Sequence, residues 1–282
     1  ALEADSGAVY EKFDAGVRNL VPHRRVDTGP CKEVILKGDK ADLGRLPIPI
    51  YAEKDGGAFI THGVQISKDP ETGTKNTSIY RMHFRGPREM SLHAESYTHL
   101  YRQYAKAEAK GEALEVAVVL GCDPVVLLAT QVGAAYGVDE MELAGGIRGK
   151  PVDVVKCETV DLEVPATSEI VIEGRLLPTR RESQGPFGEY SGYYGAVTID
   201  PVLEVTAITH RKNLIYHAGL TGMPMTENHF LKQIPNEATL YQDLKPKFPG
   251  LRGVHSTAAG CCEFMYFISM EQGFLGEGRN LL

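Results

Sequence analysis

The segment from Glu182 to Gly195 reads ESQGPFGEYSGYYG and places a carboxylate on either side of a Gly-Pro-Phe-Gly turn. Gly and Pro both oppose helix interiors, so this is turn or loop. Glycine lets backbone come close to a ligand. A glutamate at the end of such a turn, here Glu189, can act as a general acid or base if an arginine holds it. The same residues also fit an exposed β-turn of a barrel. The arginine to consider is Arg81, within NTSIYRMHF (76–84). Asn76 stands five residues earlier, and on a regular strand the two face opposite sides. They converge only if the backbone bulges or turns near Thr77 and Ser78, and Arg81 also fits a plain surface residue. His93, read at the start of a helix, fits a surface or capping histidine as well as a ligand. Glu140, in the acidic stretch Gly137–Glu142, fits a solvated loop acid. As a set, Asn76, His93 and Glu140 offer oxygen-rich donors suited to manganese or magnesium rather than zinc.

Several elements must carry these residues. Glu33–Lys37 reads as a short strand. Ala58–Ser67 alternates like a half-buried strand, and after the turn Asp69–Thr74 the run Asn76–Phe84 completes a hairpin. Leu92, Tyr97, Leu100, Tyr101 and Tyr104 recur at helical spacing, which predicts a helix from about Ser91 toward Ala113, ending near Gly111. Val116–Gly121 is a continuous apolar run and reads as a buried strand. Asp123-Pro124 opens a second helix, from 125 to about 136. Strands follow at Val152–Lys156, Leu162–Val164, Glu169–Leu177, Ala196–Thr209 and Ile215–Gly219, then a helix at Asn228–Tyr241. Short antiparallel strands with a helical insertion predict a barrel or sandwich with appended helices. Gly, Pro and Met cluster at Gly219–Met225, which reads as a domain boundary.

The 282 residues are 43% hydrophobic and 24% charged, ordinary for a globular chain. A net charge of −7 argues against a nucleic-acid surface. No apolar run reaches the roughly 18 to 20 residues of a membrane span. Ala1–Phe13 lacks the basic-then-apolar order of a signal peptide. The five cysteines, Cys31, Cys122, Cys157, Cys261 and Cys262, form no zinc spacing and read as buried thiols of a reducing cytoplasm. A start without Met and an end at Gly-Arg-Asn-Leu-Leu suggest a piece of a longer protein.

The motifs occur in a telling order. Asn76-Thr-Ser-Ile-Tyr-Arg81 is followed by His93, then by Gly137-Val-Asp-Glu140 leading into LAGGIRG (143–149). VKCETVD (155–161), VPATSEIV (164–171) and GPFGEY (185–190) complete the series. Over nearly all its length the chain resembles the UbiD-type prenylated-flavin decarboxylases. The resemblance implies an α+β fold. A split β-barrel flavin-binding domain with a helical insertion would cover 1–219, and residues 220–282 would begin an α/β dimerisation domain. It implies prenylated FMN held near Asn76, Thr77, Ser78, Ile79, Arg81 and His93. Asn76, His93 and Glu140 would ligate Mn2+ on the flavin phosphate. Ala129, Thr130 and Val132 of the run ATQV (129–132), together with Glu140 and the Thr77 carbonyl, would hold K+. Arg81 and Glu189 match active-site positions. Gln184 stands where the family has a glutamate, and it cannot ionise; Glu182, two residues away, is the acid that could substitute.

The activity implied is reversible decarboxylation of an aromatic, heteroaromatic or α,β-unsaturated acid, with CO2 as co-product. A flavin prenyltransferase would supply the cofactor, and the assembly would be a cytoplasmic homodimer. The loss of a carboxylate at Gln184 also fits a catalytically weak flavin-binding or assembly subunit. A plain FMN oxidoreductase fits less well, because it needs no metal set.

Overall fold

The computed structural model describes residues 9–281. Its centre is a nine-stranded antiparallel sheet. The strand order is Phe59–Ile60, Met82–Gly86, Glu89–Leu92, Thr198–His210, Ile170–Gln184, Leu114–Leu120, Val64–Lys68 and Lys75–Ile79, with Val34–Lys37 also paired to Thr198–His210. Connectivity forces this sheet to curl. Lys75–Ile79 is one end strand and Met82–Gly86 lies next to the other end, yet only Tyr80 and Arg81 separate them in sequence. Consecutive Cα atoms lie about 3.8 Å apart, so the two ends must come together. The result is a split β-barrel whose seam is Tyr80–Arg81.

The seam's backbone polar groups need partners, because a buried unpaired group costs free energy. Gln65, fully buried, supplies them. Its Nε2 donates to the Tyr80 carbonyl at 2.9 Å, and its Oε1 accepts the Tyr80 amide at 2.7 Å. The side chain thus replaces the ladder bonds that the break removes. The turn that lets Asn76 and Arg81 escape strict alternation therefore lies at Tyr80–Arg81, not at the expected bulge near Thr77 and Ser78.

The predicted apolar strand occurs as Leu114–Leu120 and is buried on both faces. Val116, Val118 and Leu120 enter one apolar cluster, while Ala117 and Val119 enter another, as a period of two requires. The helices are α1 (Val9–Arg18), α2 (His99–Ala109), α3 (Pro124–Ala129), α4 (Glu140–Arg148), α5 (Glu227–Leu244) and α6 (Glu277–Leu281). The cluster that holds Ala117 and Val119 takes in Phe13 of α1, the apolar residues of α3, Leu143 and Ile147 of α4, and Ala238 of α5. The cluster on the other face contains Leu100 and Tyr104 of α2. Residues 251–256 and 266–270 form a separate two-stranded hairpin.

Several expectations are corrected. The first predicted helix does not begin at Ser91, because Glu89–Leu92 is a strand paired on both sides. The helix begins at His99 behind the cap Thr98, whose hydroxyl accepts the Tyr101 amide at 3.3 Å. His93 is therefore in the strand-to-helix loop and not inside the helix. The second predicted helix stops at Ala129, where Thr130 turns its hydroxyl back to the Leu127 carbonyl at 2.7 Å. Glu140 lies in α4 and not in a loop, since Asp139 caps that helix by accepting the Met141 amide at 2.9 Å. Each arm of the predicted hairpin is broken in two, at Thr61–Gly63 and at Tyr80–Arg81, where the barrel turns. Ile215–Gly219 is irregular. All five cysteines are buried and free, and among the described residues no helix is long and apolar enough to cross a membrane. Of the stretch read against a signal peptide, residues 1–8 lie outside the described residues.

Candidate active site

The long strand Ile170–Gln184 delivers Gln184 to the barrel seam, and the chain then turns through Gly185 at φ +101°. Phe187–Gly188 pairs with Tyr194–Gly195 in a small hairpin. Asp55 pins this turn. Its Oδ1 accepts the Gly188 amide at 2.8 Å, and its Oδ2 accepts the amides of Tyr51 and Ala52 at 3.1 and 2.9 Å. Gly56 lies so close that a Cβ there would sit 2.1 Å from the Gly185 carbonyl. Phe187 is buried against Phe59, ring centroids 4.7 Å apart.

Gln184, Arg81 and Glu189 meet. Arg81 Nε donates to Gln184 Oε1 at 3.0 Å, Arg81 Nη1 donates to Glu189 Oε1, and the guanidinium lies 5.3 Å from the Phe187 ring centroid. Burial lowers the Arg81 pKa; Asp200, Glu95 and Asp55 oppose that, and an arginine remains charged in any case. Gln184 Nε2 in turn donates to the Ser91 carbonyl at 2.7 Å. Glu182 does not join this network. Its ion pair is with Arg85, at 3.8 Å.

His93 shares the site through its backbone, its amide donating to the Arg81 carbonyl at 3.1 Å. Its ring lies between two acids, with Nδ1 3.1 Å from Asp200 Oδ2 and Nε2 3.3 Å from Glu95 Oε1. A carboxylate on one ring nitrogen is the usual way to orient a histidine whose other nitrogen binds a metal. Glu140 Oε2 accepts the Thr77 amide at 2.8 Å, which ties α4 to the strand Lys75–Ile79. Burial pushes the Glu140 carboxyl up to about 7. Beside it, Asn76 Nδ2 and Thr77 Oγ1 are buried without a hydrogen-bond partner. Ser78 Oγ donates to Asn76 Oδ1 at 3.3 Å. A buried carboxyl with no countercharge among the described residues, next to the unpaired Thr77 hydroxyl, fits a hard cation, toward which Asn76 would have to turn its amide oxygen.

The run Ala129–Val132 begins at the last residue of α3 and continues into the turn after it, where carbonyls emerge. Those of Ala129 and Val132 each already accept one backbone amide, which leaves the second lone pair of each. A different acid cluster, His23, Asp139 and Glu142, has ligand atoms within 4.8 Å of one another. Lys75 already serves it, with Nζ 3.1 Å from His23 Nε2 and 4.0 Å from Asp139 Oδ2.

Arg81, His93, Phe187 and Glu189 line a cleft of about 440 Å³, together with Ile79 at the end of its strand and Tyr80 of the seam. Its opposite wall comes from the segment after the barrel, with Asn228 and Lys232 of α5 and Glu263. Asp55, Gln65, Ser91 and Asp200 were not singled out in the sequence. Asp200 left a trace, as an acid directly before Pro201 in the strand stretch TIDPVLEV; the other three left none.

Residues 24–224 match the family model of the UbiD 3-octaprenyl-4-hydroxybenzoate carboxy-lyase Rift-related domain. The chain is 37% identical over 246 residues to the anhydromevalonate phosphate decarboxylase of Methanothermobacter thermautotrophicus, covering 87% of this chain and 57% of that protein. It superposes on the UbiD-class enzyme HmfF of Pelotomaculum thermopropionicum, solved in complex with FMN, with a TM-score of 0.94 and 42% identity. That match covers 99% of this chain and 63% of HmfF. A dimeric evolved form of HmfF was solved with prFMN, matching at a TM-score of 0.92 over 97% of this chain and 64% of that one, also at 42% identity. The 3,4-dihydroxybenzoic acid decarboxylase AroY of Klebsiella pneumoniae matches at a TM-score of 0.91 and 28% identity, over 99% of this chain and 60% of that one. The chain thus spans a little over half to just under two thirds of the length of these relatives.

Proposed function

Because this chain belongs to the UbiD family, we propose that it carries the flavin-binding, proton-transferring half of a reversible non-oxidative decarboxylase. The substrate is an aromatic, heteroaromatic or α,β-unsaturated carboxylic acid, and the cofactor is prenylated FMN. The observation that carries this reading is the Arg81 guanidinium on the cleft wall, bonded to Gln184 on one side and Glu189 on the other. Arg81 binds and orients the substrate carboxylate, since its Nη2 takes part in neither bond. Glu189 moves a proton to or from the carbon that loses or gains CO2. Phe187, packed on Phe59, presents an apolar wall that limits water.

Prenylated FMN, when bound, supplies the electron-accepting chemistry that makes loss of CO2 feasible. Asn76, Thr77, Ser78, Ile79 and His93 would hold it, and of these Ile79 and His93 line the cleft. Asn76, His93 and Glu140 would hold Mn2+, and the carbonyls of Ala129, Thr130 and Val132 with Glu140 would hold K+. A flavin prenyltransferase supplies the cofactor. The working protein is a homodimer closed by a two-fold axis, in line with exposed apolar side chains such as Phe264, Phe267 and Leu275 in the segment after the barrel.

Turnover of a panel of aryl and acrylic acids by full-length protein, made in cells that produce prenylated flavin, tests the reading. Glu189→Gln should cut the rate roughly 10²- to 10⁴-fold while the flavin absorbance stays. Undiminished turnover in that variant would remove Glu189 from the mechanism. The second reading, a weak flavin-binding or assembly subunit, draws on the neutral Gln184. It predicts bound flavin with no turnover of any acid in the wild-type protein.

A further inference from the structure

We propose that Gln184 is a positioning residue, an amide required by its two partners, that holds Arg81 in one orientation without adding a second negative charge to the site. The inference rests on the decarboxylase reading for its kinetic consequences, though not for its structural ones.

The hydrogen bonds of Gln184 have opposite polarity: it accepts one from Arg81 and donates to the Ser91 carbonyl, with a longer contact from Nε2 to Ser91 Oγ at 3.4 Å. Arg81 Nε–H needs an acceptor at 3.0 Å, and the Ser91 carbonyl needs a donor at 2.7 Å. A carboxamide has one of each, so both are met in a single orientation. Flipping the amide would set donor against donor and carbonyl against carbonyl. Gln184 is fully buried, so no water can repair a mismatch. Ser91 is itself a buried member of a paired strand and cannot retreat.

A glutamate at this position meets a different situation. Its first oxygen could still accept from Arg81. Its second would face the Ser91 carbonyl, lone pair against lone pair, at closer range than the Ser91 hydroxyl that could donate to it, unless that oxygen carried a proton. The charges around the position come from every packed element. Arg81 at the seam favours an ionised acid; Glu189 beyond Arg81, and Asp200 on the adjoining strand, oppose it. Glu182, two residues back, is engaged with Arg85. An ionised side chain at this position would also place a second carboxylate on the guanidinium that must receive the substrate's carboxylate. Glutamine keeps the bridge from strand to arginine and leaves the arginine with one carboxylate partner, Glu189.

Three full-length proteins test this: wild type, Gln184→Glu and Gln184→Met, which keeps length but loses both bonds. Each is measured for kcat and KM from pH 5.5 to 9, and for thermal midpoint over the same range. Gln184→Glu should show a KM for the acid at least about tenfold above wild type at pH 8, converging on wild type as pH falls, with a thermal midpoint that drops relative to wild type as pH rises. The sign follows from the Ser91 contact. A folded state that favours the protonated acid loses stability as pH rises past the unfolded value. Gln184→Met should retain flavin and lose kcat about 10- to 100-fold, with a pH profile parallel to wild type.

A Gln184→Glu protein whose kinetic and melting profiles superimpose on wild type at every pH would overturn the proposal, as would one more active throughout. Full kcat in Gln184→Met would overturn it as well. The melting profiles need no turnover, so a wild-type protein inactive on every acid, with the pH-dependent melting difference present, would sink the decarboxylase reading while leaving the role of Gln184 standing.

Discussion

Glu140 is the residue on which the proposed cation site can be tested most directly. Its carboxyl is buried and accepts one backbone amide, from Thr77, and burial raises its pKa from 4.5 to about 7. A folded-state value above the unfolded one means the folded protein keeps a proton that the unfolded chain has released. For metal-free protein, stability from this group is therefore present below pH 4.5 and lost as pH rises from there to about 7. A bound cation would reverse the sign, because it pairs with the ionised form and displaces the proton. Chelator-treated protein should gain more in thermal midpoint from added Mn2+ at pH 8 than at pH 5.5. Glu140→Gln keeps an acceptor for the Thr77 amide and removes the charge. It should melt higher than wild type at pH 8 when both are metal-free, and gain nothing from Mn2+. Elemental analysis of the purified variant, compared with wild type, checks the same point. Mn2+ stabilisation of the variant equal to wild type would take Glu140 out of the proposed metal site.

At the scale of elements, the turn after Gln184 is the part that must be held still. Glu189 reaches Arg81 only if Gly185–Gly188 keeps its path, and Asp55 fixes that path through three backbone amides. Asp55→Ala leaves those amides without their carboxylate. The expected cost is about 1 to 3 kcal/mol of stability, seen in chemical denaturation, and a fall in kcat larger than any rise in KM. Unchanged kcat would show that the turn holds Glu189 without Asp55. None of this pinning was legible beforehand. Local pattern identified Leu114–Leu120 because an apolar run carries its own evidence of burial; short strands between turns pointed to a barrel or sandwich, and only the family resemblance chose the barrel. The seam was not legible, since Tyr80 and Arg81 break an otherwise strand-like run only because Gln65, fifteen residues before Tyr80, satisfies the backbone there. The start of α2 was missed for the same kind of reason. Ser91 and Leu92 fit helical spacing, yet two partner strands claim them. At the site, Arg81 and Glu189 could be singled out by type and by family resemblance. The function of Gln184 depends on where the Ser91 carbonyl points, which no spacing encodes.

At the scale of the whole molecule, the question is whether residues after 219 form a unit of their own. The cleft takes one wall from the barrel and the other from α5 and Glu263. The packing is similarly shared. Ala238 of α5 is buried in the apolar cluster that contains Phe13 of α1, the apolar face of α3, and Leu143 and Ile147 of α4; Leu231 and Ile234 pack against it. Polar contacts reinforce this. Glu237 of α5 is almost fully buried and accepts hydrogen bonds from Tyr10 of α1 and from the amide and hydroxyl of Ser256, at 2.7 and 3.0 Å for the latter two. Burying a large aliphatic side chain contributes roughly 1.5 to 3 kcal/mol, so uncovering several at once exceeds much of the ~5 to 15 kcal/mol that holds a domain together. A fragment ending at 219 should therefore melt well below the 282-residue chain, with a broader transition, and should bind an apolar dye that the longer chain does not. Tyr10→Phe in the longer chain, which removes one bond to Glu237 and little volume, should lower the midpoint only slightly and leave a single transition. If the shorter fragment instead melts sharply at the same temperature as the longer chain, the barrel is self-sufficient, and the boundary near 219 separates two independent domains.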